Sequence, residues 1–224
     1  MTREERYAAV LNHFRKVMPT TETELRWATE FQLLVAVILS AQCTDKRVNM
    51  VTPELFAQYP DANSLAVADV EDVRQLISSI SYPNAKTVHI IEMSKGIVNR
   101  FGGDVPQTRE ELMSLQGVGR KTANVMMAVA FGKPTMAVDT HVFRVSHRLG
   151  LVAKNDDTPL KVEQRLVRHI PTADIPNAHH WLLLHGRYTC VSRKPHCGEC
   201  PFVSGICPCP NPGASGGENR FQLE

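Results

Sequence analysis

Four cysteines near the end of the chain carry the strongest chemical signal. Cys190, Cys197, Cys200 and Cys207 are separated by six, two and six residues, and Cys209 follows closely. Of the six cysteines only Cys43 lies elsewhere. Four thiolates in one short loop suit a [4Fe-4S] cluster or a tetrahedral zinc. A zinc ribbon normally brings two C-x2-C knuckles, and here there is one, which favours iron–sulfur. A secreted disulfide framework would instead spread its bridges to close large loops. Cys209 is a further candidate for the fourth ligand. Arg193 and Lys194 lie inside the first loop, where they can meet a phosphate backbone.

A second constellation is Leu115-Gln116-Gly117-Val118-Gly119 followed by Arg120-Lys121. Two glycines permit a tight turn and bare the backbone N–H groups around Gly117, Val118 and Gly119. Together with the positive end of the next helix and Arg120, they suit a DNA phosphate. Such a site grips backbone without reading sequence. The plainer alternative is an ordinary αα-hairpin with a glycine turn. Lys121 falls in the first helical turn beside Arg120, and both neighbours favour an uncharged amine, which is what a lysine nucleophile needs. The same position equally suits a solvated lysine beside a phosphate. Eighteen residues on, Asp139 heads Asp139-Thr140-His141-Val142. For an isolated Asp, helix capping is the favoured reading. A carboxylate that meets Lys121 would also accept a proton or stabilise positive charge at a sugar C1′.

The elements that must position these groups read as helices. Glu30–Ala41 is apolar nearly all round, as a central core helix should be. Pro53 is expected to open the next helix. Apolar spacing marks 70–80, and 86–101 is stopped by Gly102-Gly103. Thr108 with Glu111 has capping-box spacing and opens a helix to Leu115. Further helices are expected over 121–131, 140–149, 158–170 and 178–188. No run alternates as a strand should, so the fold class is all-α. The Pro-, Gly- and Ser-rich segment 208–224 is expected to be a flexible tail.

Composition narrows the classes. The 224 residues are 43% hydrophobic with a net charge of +2, which excludes global disorder and a uniformly basic coat. Basic character is local: Arg120, Lys121, Lys133, Arg144 and Arg148 stand against one acid, Asp139, between 116 and 150. The longest apolar run, 31–39, is too short to span a bilayer. The first ten residues lack the apolar core of a secretory signal, so a cytoplasmic, non-membrane protein is expected.

Taken together, Leu39–Asp45 (LSAQCTD), Leu115–Ala123 (LQGVGRKTA), Val138–Val145 (VDTHVFRV) and His185–Cys190 (HGRYTC) resemble the endonuclease III family of DNA glycosylases. The likeness spans roughly residues 5 to 210. It implies two helical domains flanking a DNA-binding cleft: 23–134, with its helix-hairpin-helix at about 108–131, and 1–22 plus 135–207, carrying a [4Fe-4S] cluster. It implies a monomeric bifunctional enzyme of base excision repair, acting on damaged double-stranded DNA. Lys121 matches the catalytic nucleophile, Asp139 the essential carboxylate and Gln42 the residue that fills the vacated space in the duplex. Tyr82 stands where a second, wedge-like side chain belongs. The Met113, Leu115 and Val118 carbonyls match a monovalent-cation site; the local basic charge, apart from the resemblance, adds Arg144 to the expected DNA-contacting set. Three departures are visible. The last cysteine interval is six residues where the family usually has five, Gln116 replaces the usual hairpin proline, and Ser81 and Pro83 alter the usual Gly-Leu-Tyr-Asn turn.

Two other readings compete. A monofunctional adenine glycosylase would normally lack the lysine and carry a further recognition domain. A non-catalytic iron–sulfur or zinc DNA-binding protein would not need Lys121 or Asp139.

Overall fold

The computed structural model describes residues 1–209; the expected tail from 210 onward lies outside them. All regular structure among the described residues is helical. The chain forms two compact units, a continuous one over Thr23–Lys133 and a terminal one joining Met1–Glu22 to residues from Pro134 onward. No helix among the described residues is long and apolar enough to cross a membrane.

The continuous unit is built around α2 (Glu30–Ser40), capped by the Thr29 hydroxyl on the Gln32 amide. Every residue from Leu33 to Leu39 is buried. Such a helix has no solvent face, and α3, α6 and α8 pack on it. Pro53 does not open α3: it lies inside this helix (Asp45–Gln58), which starts at the Thr44 cap. An interior proline costs about 3 kcal/mol. Val48, Val51 and Leu55 are buried on either side of it. Each fully buried aliphatic side chain contributes about 1.5–3 kcal/mol, so core burial outweighs the lost bond. Asp61 caps α4 (Ala62–Ala66), and Asp69 caps α5 (Val70–Leu76), which stops short of residue 80. The long α6 (Pro83–Phe101) begins three residues earlier than its apolar pattern suggests, because Pro83 is set at its first turn. It ends at Gly102 in the left-handed conformation. The unit closes with α7 (Arg109–Met113) and α8 (Arg120–Val129).

The terminal unit holds α1 (Arg3–Val17), α9 (Thr140–Arg148), α10 (Pro159–His169) and α11 (Ile175–Tyr188). Apolar spacing alone gave no notice of α1, yet Thr2 and Glu5 form a reciprocal capping box at its start. Phe14 stacks on Trp181 at 5.7 Å and meets Phe202 edge-on at 5.3 Å. The Trp181 indole N–H donates to the Met18 carbonyl at 2.7 Å, anchoring the C-terminal end of α1 to α11. Gly186 sets the contact of α9 with α11: a Cβ there would lie 2.9 Å from His141 Cβ.

Candidate active site and nucleic-acid interface

The α7–α8 hairpin is tight for steric reasons. Gly117 has φ +75, and a Cβ there would come within 2.8 Å of His89 Cβ. Val118 turns inward and is buried with Leu115 and Ala123 in the unit's core. Its amide is not bare, as the motif suggested, but donates to the Leu115 carbonyl at 3.2 Å. That bond occupies one lone pair of a carbonyl in the expected cation set. Gly119 is the N-cap of α8 and offers no capping side chain. A Cβ there would meet nothing within 4 Å. The hairpin therefore presents open space at the positive end of a ten-residue helix. Lys121 is exposed in that first turn, beside the half-buried Arg120. Behind the turn, Arg100 donates to the Ser114 hydroxyl at 3.0 Å and to its carbonyl at 3.1 Å. At the entry, Thr108 accepts from the Glu111 amide at 3.3 Å and donates to its carboxylate at 2.6 Å.

Backbone strain marks the other candidate contact residues. Among the described residues three non-glycine positions have positive φ: Gln42 (52°), Tyr82 (56°) and Lys194 (54°). All three side chains are exposed. Each such residue costs about 1–2 kcal/mol relative to the right-handed conformation. Tyr82 and Lys194 both precede a proline, which restricts them further. Gln42 occupies the third position of a Ser40–Cys43 turn closed by a 3.0 Å bond from the Cys43 amide to the Ser40 carbonyl. Ala41, at φ −58 and ψ 118, makes it a type II turn, in which glycine is the usual residue at the glutamine's position. Strain held at exposed polar side chains points to function. No pattern of apolar spacing could have revealed it.

In the terminal unit Asp139 caps α9: one oxygen accepts from the Val142 amide at 2.8 Å, and the other lies 3.2 Å from His141 Nδ1. The capping reading is therefore met by geometry, which leaves a chemical role open alongside it. Arg144 differs from expectation. Its Nε donates to the Cys190 carbonyl at 3.2 Å and its terminal nitrogens to Gly186 at 2.8 Å and Thr140 at 3.4 Å. Burial, and then the neighbouring Arg148, push its pKa down. Arg144 is thus spent on three main-chain carbonyls, two of which, Gly186 and Cys190, belong to the end of α11 and the segment that enters the cysteine loop. Arg148 does the same for the carbonyls of Val191 at 2.7 Å and Ser192 at 2.9 Å. Arg193 and Lys194 remain exposed on the loop.

Cys190, Cys197, Cys200, Cys207 and Cys209 line one cavity together with His185 and Arg148. Burial pushes the Cys200, Cys207 and Cys209 thiols up, and neighbouring thiolates push the same way. So many thiols facing one space are costly to ionise without a positive centre among them. Among the described residues no three His, Cys, Asp or Glu side chains are gathered so as to hold a metal ion.

The sequence from 35 to 172 matches the HhH-GPD superfamily of base excision DNA repair proteins. Endonuclease III of Haemophilus influenzae is 43% identical over 88% of this chain and 92% of its own length. Endonuclease III of Escherichia coli K12 is 44% identical over 88% of this chain and 92% of its own. This chain belongs to the endonuclease III family. It is accordingly a base-excision repair enzyme, a DNA glycosylase and abasic-site lyase. A solved structure of a trapped covalent endonuclease III–DNA intermediate, an estranged-adenine complex, superposes with a TM-score of 0.88 at 40% identity, covering 96% of this chain and 98% of that one. A thermostable thymine-DNA glycosylase shares the fold at 21% identity and a TM-score of 0.79. Within the endonuclease III fold, Gln42, Tyr82, the hairpin and Lys121 all lie on the continuous unit, whereas Asp139 and the cysteines lie on the terminal one.

Proposed function

We propose that this endonuclease III removes oxidised, ring-saturated or fragmented pyrimidines from duplex DNA, with Lys121 as nucleophile and Asp139 as its carboxylate partner. The observation that carries the reading is an exposed lysine in the first turn of a helix whose N-terminus has no side-chain cap. Phosphate held by the hairpin amides brings the sugar to the amine. The damaged nucleotide is extruded, which costs least where damage has weakened stacking. Gln42 fills the vacated space and Tyr82 stacks on the estranged base. The Lys121 Nζ lone pair attacks C1′. The C1′–N bond breaks, and the base leaves with that electron pair and takes a proton. Asp139 accepts the lysine proton. The sugar ring opens to an iminium, a proton leaves C2′, and the C3′–O bond breaks with the phosphate as leaving group. Water then releases the unsaturated sugar from Lys121.

Cys190, Cys197, Cys200 and Cys207 are the proposed ligands of a [4Fe-4S] cluster. The fit rests on soft thiol donors that share one cavity, the donor set such a cluster takes. When bound, the cluster supplies positive iron that stabilises the thiolates and cross-links the loop. Arg193 and Lys194 on that loop bind phosphate. The Met113, Leu115 and Val118 carbonyls are the proposed monovalent-cation ligands.

Borohydride trapping tests the reading. Incubation with duplex DNA containing thymine glycol, then reduction, should link protein to DNA through Lys121. No cross-link with intact, folded protein would overturn it. An adenine glycosylase acting without a lysine would release base and leave no adduct.

A further inference from the structure

Lys86 is buried, at 5% exposure, which is unusual for a lysine without a carboxylate partner. Its ammonium donates to the Leu39 carbonyl at 2.8 Å and the Ala41 carbonyl at 2.5 Å. The first bond satisfies the carbonyl end of α2, as a cation at a helix C-terminus should. The second does something a cap does not require. Ala41 and Gln42 share the central peptide of the type II turn. Type I and type II turns differ by a flip of that peptide. Rotation to type I would carry the Ala41 carbonyl away from Lys86 and give Gln42 a negative φ, which a glutamine adopts without strain. The unstrained turn is the one the chain would choose if the ammonium were absent. The backbone N–H of residue 86 donates to the Tyr82 carbonyl at 3.1 Å as the first bond of α6, which any residue but proline would make, so the side chain acts on the Gln42 turn alone.

We propose that Lys86 is a positioning residue for duplex opening, holding Gln42 in its left-handed conformation so that its side chain is presented to the DNA. This rests on the role given above to Gln42. Lys86 itself is buried and acts only through the turn it holds. Burial lowers its pKa, and the proximity of Cys43 acts against that, so the charge is held by geometry rather than by an acid partner.

The test is a mutational cycle on full-length holoenzyme, read as the dissociation constant for a duplex bearing a tetrahydrofuran abasic analogue. Lys86→Met keeps the side-chain length and removes the donors. It should weaken binding about 10-fold or more, the size of losing an important contact residue. In a Gln42→Ala background the same change should give no further loss, because nothing remains to be positioned. Equal losses in both backgrounds would overturn the proposal and leave Lys86 as a fold-stabilising cap. Should Lys86→Met fail to fold, Lys86→Leu, which also removes the donors, is run through the same cycle with the same two outcomes. Borohydride trapping of the wild type reports separately on the parent reading. No adduct there would remove the parent reading, whereas an adduct with additive losses would remove only the role of Lys86.

Discussion

Lys121 and Asp139 are the residues whose chemistry decides most. Lys121→Gln keeps length and polarity but cannot form an iminium. Gel assays of strand cutting and trapping should both fall to background while lesion-duplex binding survives. Asp139 is more discriminating because it already caps α9. Asparagine caps about as well as aspartate, so a purely structural Asp139 predicts a fully active Asp139→Asn enzyme. If the carboxylate also takes a proton, turnover should fall by about 10²–10⁴-fold at unchanged melting temperature. Single-turnover base release, measured beside thermal unfolding, separates the two.

At the scale of elements, the hairpin glycines should behave differently. Gly117→Ala places a methyl against His89 at a positive φ and should cost about 2 kcal/mol or more of stability. Gly119→Ala meets open space, so denaturant unfolding should show only about 1 kcal/mol, that of a poorer cap. Its DNA affinity should nevertheless drop, since a Cβ crowds the phosphate approach to the α8 amides. An unchanged affinity would argue against phosphate at this helix end. Helix α11 makes a separate prediction about acid. Burial lowers the pKa of His180 and takes that of His185 down to about 4. Both imidazoles are then neutral in the fold while the unfolded chain takes up protons below about 6.5. Stability is present above that pH and declines as pH falls from 6.5 toward 4. Equilibrium unfolding at pH 7 and pH 5 should show the loss, and His185→Gln should reduce it.

For the whole molecule, the two units should respond differently to loss of the cluster. The cysteine loop has few apolar side chains, Phe202 being the main one it buries. Oxidative removal of iron should therefore lower the melting of the terminal unit and leave Thr23–Lys133 with native hydrogen-exchange protection. Colourless protein holding one zinc would overturn the cluster assignment. DNA binding should weaken linearly in log salt. Replacing both Arg193 and Lys194 by Gln should reduce that slope by about 2, roughly one per phosphate contact. Arg144→Gln should leave the slope unchanged and lower stability, because its guanidinium is committed to carbonyls.

Much of this was legible in the residues themselves. Helical class, the glycine hairpin before Lys121 and the cysteine spacing follow from local chemistry, since periodicity, turn residues and thiol spacing act over a few positions. Even the Thr2–Glu5 box that starts α1 was there to be read. Other features depend on residues distant in sequence. Pro53 is tolerated inside α3 because Val48, Val51 and Leu55 are buried around it. Arg144 looks like a surface cation until its carbonyl partners, 42 and 46 residues away, are in place. The left-handed Gln42 was hidden for the same reason. Its conformation is chosen by an ammonium 45 residues from the Ala41 carbonyl, and only the packing of α6 on α2 brings the two together.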